Sequence, residues 1–236
     1  MDGSCHFPEA VVNHRWSLVA LAGLLLAGGI AGCSPATGAP TSPRPAGATG
    51  SKQLVVDNGS QSLTVSAASL GSALYRATPA GALSVTASPD GIVEVRQGKT
   101  GQAATRIAIE LSRSVTWAIT IRGGTTTCNL DLAGLRLGGL TVSGGAETMR
   151  LNLPPPHGRV DVIVSGGATH LVIAAPGGAA MRVVAAAGIA VVRASGAGVV
   201  LADNSHLVTY GSYAGAANSY SVDLTAGAAT LNLSEP

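Results

Sequence analysis

Aromatic residues, lysine and charge of either sign are all scarce in this 236-residue chain. It contains one Phe, two Trp and four Tyr, and charged residues make up 11% of the sequence. The formal net charge is +2, and the arginines are scattered along the chain. A protein that binds nucleic acid needs a basic patch or stripe to neutralise phosphates. The sequence therefore predicts no nucleic-acid partner.

Cysteine is equally sparse, with three copies at Cys5, Cys33 and Cys128. No CxxC pair and no Cys/His cluster is present, so a structural zinc site is not expected. The histidines beyond the first 32 residues have no pattern of partner ligands; they are His157, His170 and His206. We therefore expect neither a metal nor another cofactor, and we expect Cys128 to be a buried, unreactive thiol.

An uncharged apolar run near the N terminus covers residues 17–32. These sixteen residues follow Arg15, and they are fewer than the roughly 20 that a membrane-spanning helix needs. Such a run is typical of the core of a secretory signal peptide. It ends at Ile30-Ala31-Gly32-Cys33. This ending resembles the lipobox of bacterial lipoproteins, in which an aliphatic residue and two small residues precede a cysteine.

The resemblance implies that the Cys33 thiol receives diacylglycerol and that the chain is cleaved just before it. Acyl chains anchor a protein because each buried CH₂ contributes about 0.8 kcal/mol. We therefore predict a lipoprotein signal peptide at residues 1–32 that is removed, and membrane lipid as a partner through Cys33. The alternative is a signal anchor that is not cleaved, in which Cys33 is a chance cysteine.

Residues 33–51 form a segment rich in Pro, Gly, Ser and Thr after the cysteine. Four prolines in this segment are incompatible with a helix or the interior of a sheet. The composition predicts a tether that holds the following domain, residues 52–236, away from the lipid surface. The predicted location is the extracytoplasmic side of the cell membrane.

From residue 52 onward, short runs of alternating apolar and polar residues are separated by glycines, as in Leu63-Thr64-Val65 and Ile107-Ala108-Ile109. Alternation with period two and β-branched residues predicts strands. No segment of this region shows a sustained helical stripe. The fold class is therefore predicted to be all-β.

Gly-ended motifs recur in the second half of the chain. The second Gly of the successive copies lies at positions 124, 145, 167, 188 and 227. The first three intervals are therefore 21 or 22 residues long, and the last interval, of 39 residues, is nearly two periods. Repeats of this length are typical of a solenoid, in which stacked units share one core. We predict a Gly-punctuated β-solenoid with rungs of about 21 residues. The pairs Gly123-Gly124, Gly144-Gly145 and Gly166-Gly167 should supply positive φ angles at the corners and allow neighbouring rungs to approach closely.

The segment from about Thr116 to Gly198 resembles the putative-adhesin or toastrack β domains of bacterial envelope proteins. The matching residues are Leu135, Leu137 and Leu140 in one rung, Ser143-Gly144-Gly145 and Ser165-Gly166-Gly167. The resemblance implies a stacked β-solenoid that is often displayed at the membrane and is sometimes linked to envelope-stress sensing. The chain departs from the pattern at Ala186-Ala187-Gly188 and over residues 199–219.

Candidate catalytic groups do not form a pattern. Cleavage of a glycosidic bond needs two carboxyl groups about 5–10 Å apart. Strand alternation places Asp131, Asp161 and Asp223 at solvent-facing positions, and the aromatic platforms common in sugar-processing clefts are scarce. We therefore predict no catalytic residues.

Three tyrosines, Tyr210, Tyr213 and Tyr220, fall close together in an irregular segment near the C terminus. One interpretation is a small contact patch for a partner. The other is that they pack over the open end of the solenoid. Trp117, by contrast, is expected to fill the core.

Together these features predict an exported lipoprotein that displays a non-catalytic β-solenoid for binding, adhesion or structure in the cell envelope. Its partner would be an envelope protein or polysaccharide. Two alternatives are an enzyme that acts on envelope polysaccharide from the same scaffold, and a regulatory partner of an envelope-stress system.

Overall fold

Every regular element that the structure describes is a β-strand, as the alternating sequence predicts. The computed structural model describes residues 50–57, 59–78, 83–97, 105–194, 200–202, 207–210 and 213–234, all within one compact unit, Pro43–Pro236. Within these residues no helix is long and apolar enough to cross a membrane. The strands are β1 (Lys52–Asp57), β2 (Ser60–Ala68), β3 (Tyr75–Thr78), β4 (Leu83–Ala87), β5 (Ile92–Gln97), β6 (Arg106–Ser112), β7 (Thr116–Ile121), β8 (Thr125–Asp131), β9 (Arg136–Val142), β10 (Ala146–Asn152), β11 (Arg159–Val164), β12 (Ala168–Ala174), β13 (Ala180–Ala185), β14 (Ile189–Ala194), β15 (Val200–Ala202), β16 (Leu207–Tyr210), β17 (Ser219–Leu224) and β18 (Ala228–Ser234).

The strands form two sheets, and each rung of the chain contributes one strand to each sheet. Sheet A has the order β15-β16-β13-β17-β11-β9-β7-β1-β5-β4, and sheet B has the order β14-β18-β12-β10-β8-β2-β6-β3. The rungs, numbered 1 to 7 in chain order, are β1–β2, β5–β6, β7–β8, β9–β10, β11–β12, β13–β14 and β17–β18. Neighbouring rungs pair in parallel in both sheets. This arrangement confirms the predicted all-β solenoid of stacked rungs.

The core consists of aliphatic side chains between the two sheets. One inward register position of sheet B is occupied on successive strands by Leu63, Cys128, Met149, Leu171 and Leu231. Each of them is at most 2% exposed. Because successive side chains of a strand point to opposite faces, the residues between them face solvent. Small aliphatic residues therefore build one continuous core despite the scarcity of aromatics.

Trp117 and Cys128 both lie in this core, as predicted. Trp117 is fully buried, and its Nε1 donates a hydrogen bond of 2.9 Å to the carbonyl oxygen of Ser112. Burial raises the pKa of the Cys128 thiol to about 12. The thiol therefore stays protonated at neutral pH, and a protonated thiol is a poor nucleophile.

The glycine pairs form the corner where the chain passes from sheet A to sheet B. The predicted close approach is confirmed, since a Cβ on Gly144 would overlap the carbonyl oxygen of Gly123, and a Cβ on Gly166 would overlap that of Gly144. The prediction of positive φ angles is wrong for all three pairs. The corner instead remains hydrogen-bonded to the next rung; for example, the Thr125 N–H donates to the Gly145 carbonyl oxygen at 2.9 Å. Gly188 of the divergent rung does have a positive φ, of 80°.

The order of the rungs in space differs from their order in the chain. Along the stack they run 6, 7, 5, 4, 3, 1, 2, because β17 lies between β11 and β13 and β1 lies between β5 and β7. The long interval before position 227 is therefore not a gap in the stack. It contains β15 and β16, after which the chain returns to insert rung 7 between rungs 5 and 6.

Antiparallel strands cover most of the stack's ends. At rung 2, β4 pairs with β5 in sheet A and β3 pairs with β6 in sheet B. At rung 6, β16 pairs with β13 in sheet A, and β15 pairs with β16. Such caps occupy strand edges that would otherwise invite pairing with another chain. In the part of the chain that the structure describes, β14 has one neighbour, β18.

Candidate interaction surface

The residues of the predicted lipobox, Ile30, Ala31, Gly32 and Cys33, lie outside the described residues. The signal-peptidase junction and the lipid attachment at Cys33 therefore stay predictions. The described chain begins at residue 50 and leads directly into β1. The predicted tether thus joins the domain at rung 1, the second rung from one end of the stack.

Of the three tyrosines predicted as a contact patch, Tyr220 does not reach the surface. Tyr220 is fully buried and lies in register with Val160 and Met181, which are buried too. Tyr213 is half-buried in the segment before β17, and Tyr210 ends β16 with a side chain outside the described part. The prediction for Tyr220 is wrong, because strand alternation in β17 directs this ring into the core.

The Tyr220 side chain has a structural role in the core. Its hydroxyl donates a hydrogen bond of 2.6 Å to the carbonyl oxygen of Pro154, in the connection between β10 and β11. Desolvation by burial raises the pKa of this phenol above its ordinary value, so the hydroxyl keeps its proton and remains a donor. The bond thereby ties the inserted rung 7 to rungs 4 and 5.

Replacing Tyr220 with phenylalanine should lower the free energy of unfolding by about 1–2 kcal/mol, because the buried Pro154 carbonyl loses its donor. The measurement is urea unfolding followed by circular dichroism. Tyr213→Phe is the matched control, and it should have no effect above about 0.5 kcal/mol because that side chain is only half-buried. An equal effect of the two substitutions would contradict the assigned hydrogen bond.

The predicted solvent-facing carboxylates are not assembled into a catalytic cleft. Asp131 lies on sheet B and accepts a hydrogen bond of 2.9 Å from the Asn152 amide. Asp161 and Asp223 lie on the neighbouring strands β11 and β17, two register positions apart. Asp161 is paired with Arg159 at 3.4 Å, and its side chain is 64% exposed.

This exposure bears directly on acid catalysis. A general acid for glycosidic cleavage must hold its proton near neutral pH, which requires burial or a nearby like charge in a desolvated site. Asp161 is instead exposed to solvent and paired with Arg159, so it lies in no desolvated site. The geometry of sheet A therefore gives no support to a catalytic carboxylate pair.

Metal binding is not supported by the described residues either. In those ranges no three His, Cys, Asp or Glu side chains come close enough to hold a metal ion. His157 and His170 are exposed, on a loop and on β12, and His206 lies outside the described ranges. Cys128, buried in the core, faces Leu63 and Met149 on the strands beside it.

The outer face of sheet B presents a regular row of mostly polar side chains that the sequence reasoning missed. One outward register position is occupied on successive strands by Thr64, Asn129, Arg150, Val172 and Asn232. Neighbouring strands are about 4.8 Å apart, so these groups repeat at that spacing across the sheet. The signal was available in the sequence, since each residue directly follows the inward residue of its repeat.

Comparison with known proteins agrees with this architecture. Residues 76–174 match the family described as the N-terminal domain of toast_rack, DUF2154. No curated protein matches the chain. A solved structure described as a putative cell adhesion protein from Clostridium sporogenes superimposes with a TM-score of 0.60. It is 18% identical in sequence, and the match covers 81% of this chain and 95% of that one.

At this level of identity the solved structure supports the fold alone. Together with the family match it supports a toastrack-like fold of stacked β rungs. The family match spans β3 to β12, which includes the corners at Gly123-Gly124, Gly144-Gly145 and Gly166-Gly167. Residues 76–174 are therefore similar to a toast-rack domain, and the described strands form the toastrack-like β-solenoid that the glycine-paired repeats predict.

Proposed function

We propose that the protein is an exported lipoprotein, anchored in the membrane through acylated Cys33, which displays its β-solenoid for binding in the cell envelope. The observation that carries the anchor is Ile30-Ala31-Gly32-Cys33 at the end of a sixteen-residue apolar run. A Pro-rich segment follows and reaches the folded domain at β1. This is the order that a tethered surface domain requires.

The binding role is supported by the surfaces of the solenoid. The row from Thr64 to Asn232 offers amide, hydroxyl and guanidinium groups at a regular spacing on a broad sheet. A partner with polar groups repeated along its length, such as an envelope polysaccharide or an extended protein segment, would match that spacing. Hydrogen bonds from a flat polar face hold such a partner without any chemical step.

Replacing Cys33 with alanine should abolish metabolic labelling by a palmitate analogue. The reason is that removing the thiol removes the acceptor of the acyl chains. Cys5→Ala is the matched control and should retain full labelling, because Cys5 lies in the segment predicted to be cleaved.

Equal labelling of the Cys33→Ala variant and the unmodified chain would overturn the proposed anchor. Mass spectrometry of the labelled product supplies an independent readout. The proposal requires a mature N terminus at Cys33, and an intact first segment with a free thiol would contradict it.

A further inference from the structure

We propose that the edge of the stack at which the chain enters β1 docks on the membrane surface, with anionic phospholipid headgroups as its partner. The proposal rests on the anchor at Cys33 and adds a second contact to it. Lys52, the first residue of β1, follows Cys33 by 19 positions. Even a fully extended chain of that length spans only about 65 Å. The edge is therefore held close to the headgroups, so weak contacts are sufficient to dock it.

The same edge carries the starts of all the parallel strands of sheet A. These strands are β1, β5, β7, β9, β11, β13 and β17, and they all run in the direction of β1. Four connections from sheet B lead into them, at residues 113–115, 132–135, 153–158 and 175–179, and residues 213–218 lead into β17. We call the strand starts and these five segments the tether edge. The glycine corners lie at the opposite edge, where the strands of sheet A end.

The five segments of the tether edge contain neither Asp nor Glu. More than half of their residues are Pro, Gly or Ala, and the exposed ones include Pro155, Gly177 and Ala214. Tyr213 is half-buried in the last segment, and tyrosine is enriched at the interface between membrane and water. Carboxylates in these segments would be repelled by anionic headgroups. The composition therefore suits contact with a membrane surface.

Basic side chains lie along the tether edge on consecutive rungs. Arg136 begins β9 on rung 4, Arg113 precedes β7 on rung 3, and Lys52 begins β1 on rung 1. The Arg113 guanidinium lies beside Gly134 of the following connection. The Lys52 ammonium lies beside Gly91, which precedes β5. None of the three cations is in an ion pair among the described residues. Neighbouring strands are about 4.8 Å apart, so the three cations can contact one patch of headgroups.

The opposite edge of the stack supplies a comparison of charge. At the tether edge the three cations outnumber two described acids, Asp90 before β5 and Asp131 at the end of β8. Arg159, at the start of β11, is already paired with Asp161. At the opposite edge the unpaired charges of the described residues balance; they are Arg106, Arg122, Asp57 and Glu147. Attraction to an anionic surface grows with the number of basic groups near it, so the tether edge is favoured.

Docking at the tether edge orients the domain. The strands of both sheets then run away from the bilayer, and the outer faces of the two sheets stand upright on it. The row from Thr64 to Asn232 stays exposed on sheet B, where a partner can reach it from the side. The second contact thus deepens the proposed display, because it sets which surfaces face a partner.

The test measures how close each edge comes to the lipid headgroups. The full chain carries Cys5→Ser and Cys33→Ser, and its N-terminal apolar run keeps it on vesicles that contain a headgroup quencher. A fluorophore is attached at Ala133→Cys on the tether edge or at Ser143→Cys on the opposite edge, beyond the two ends of β9. Cys128 is buried and protonated, so it takes no label. Only chains that float with the vesicles are measured.

In vesicles of phosphatidylglycerol and phosphatidylcholine, the Ala133 label should be quenched several-fold more than the Ser143 label. Vesicles of phosphatidylcholine alone, or high salt, should remove the difference, because the attraction is electrostatic and is screened by ions. Equal quenching of the two labels in anionic vesicles would overturn the proposal. Unchanged quenching of the Ala133 label in phosphatidylcholine alone would overturn it too. Because Cys33 is replaced here, either failure is distinct from a failure of acylation, which the Cys33→Ala labelling tests.

Charge variants identify the edge that is responsible. Arg113→Gln together with Arg136→Gln should lower the ratio of docked to undocked chains about tenfold, because two of the three cations are lost. Arg106→Gln together with Arg122→Gln is the matched control at the opposite edge and should leave the ratio unchanged. Arg113→Lys together with Arg136→Lys keeps the charge and should keep the docking, and circular dichroism checks each fold. Equal loss in the two glutamine pairs, or loss in the lysine pair, would contradict docking by charge at this edge.

Discussion

Replacing Gly166 with alanine should lower the free energy of unfolding by about 3 kcal/mol or more, which places it among the more severe single substitutions. The added Cβ would overlap the carbonyl group of Gly144 and lie 2.6 Å from the nitrogen of Gly145. These are backbone atoms of the next rung. The Ser165 N–H donates to the Val142 carbonyl oxygen at 2.8 Å, which holds the two rungs at this separation. A flexible side chain could move aside, but a hydrogen-bonded backbone cannot do so without breaking the ladder.

The neighbouring residue supplies the control for this prediction. In Gly167→Ala the nearest atom to the new Cβ is the Gly227 carbonyl oxygen at 3.7 Å, an ordinary contact, and φ is not positive. The free energy of unfolding should therefore change by no more than about 1 kcal/mol, in either direction. Urea unfolding of both variants measures the difference. If Gly166→Ala were as stable as Gly167→Ala, the close approach of the rungs would be contradicted.

The corner glycines also show what a single sequence can and cannot predict. A glycine is selected both where φ is positive and where a backbone passes too close for a Cβ, and the residue letter is the same in the two cases. The repeat at positions 124, 145 and 167 was therefore sufficient to predict stacked rungs. It could not separate the two causes, since the separation depends on the distance between rungs.

The order of the rungs was not predictable for a related reason. Each rung carries the same alternation of apolar and polar residues, so the apolar pattern of β17 fits beside β11, β13 or any other strand of sheet A. The repeated pattern therefore carries no information about the order of the rungs, and the connections between rungs follow no repeated spacing from which the order could be predicted. The 39-residue interval showed that the repeat is interrupted, but it did not show where rung 7 lies.

The Tyr220 prediction failed although the signal was present. In β17, Tyr220, Val222 and Leu224 alternate with Ser221 and Asp223, which predicts an inward ring. Its proximity in the sequence to Tyr210 and Tyr213 favoured a contact patch instead. Proximity is a weak guide at the start of a strand, where successive residues face opposite sides of the sheet. The Trp117 prediction was correct, since Trp117, Ile119 and Ile121 alternate with smaller residues in β7. The Cys128 prediction was also correct, although the three threonines before Cys128 leave the alternation of β8 uncertain.

The inserted position of rung 7 leads to the second large prediction. A chain truncated after residue 218 should lose ordered structure in rung 6 as well as in the deleted rung. In a solenoid stacked in chain order, removal of the last rung would leave the others in place, because each unit contacts only its neighbours. Here both strands of rung 6 pair with rung 7, through β13–β17 and β14–β18, and neither pairs with rung 5. Rung 6 therefore has no partner within the stack once rung 7 is gone.

Amide hydrogen exchange resolves this effect by position. In the truncated chain the amides of β13 and β14 should exchange at rates close to those of an unfolded segment, whereas those of β7 to β10, in the middle of the stack, should keep measurable protection. The control is a chain that ends at Ser234, the last residue of β18, which should exchange like the full chain. Full protection of β13 and β14 after truncation would mean that rung 6 docks directly on rung 5. That result would show that the connections impose the observed order, because the surfaces of rungs 5 and 6 would then be able to pair without rung 7.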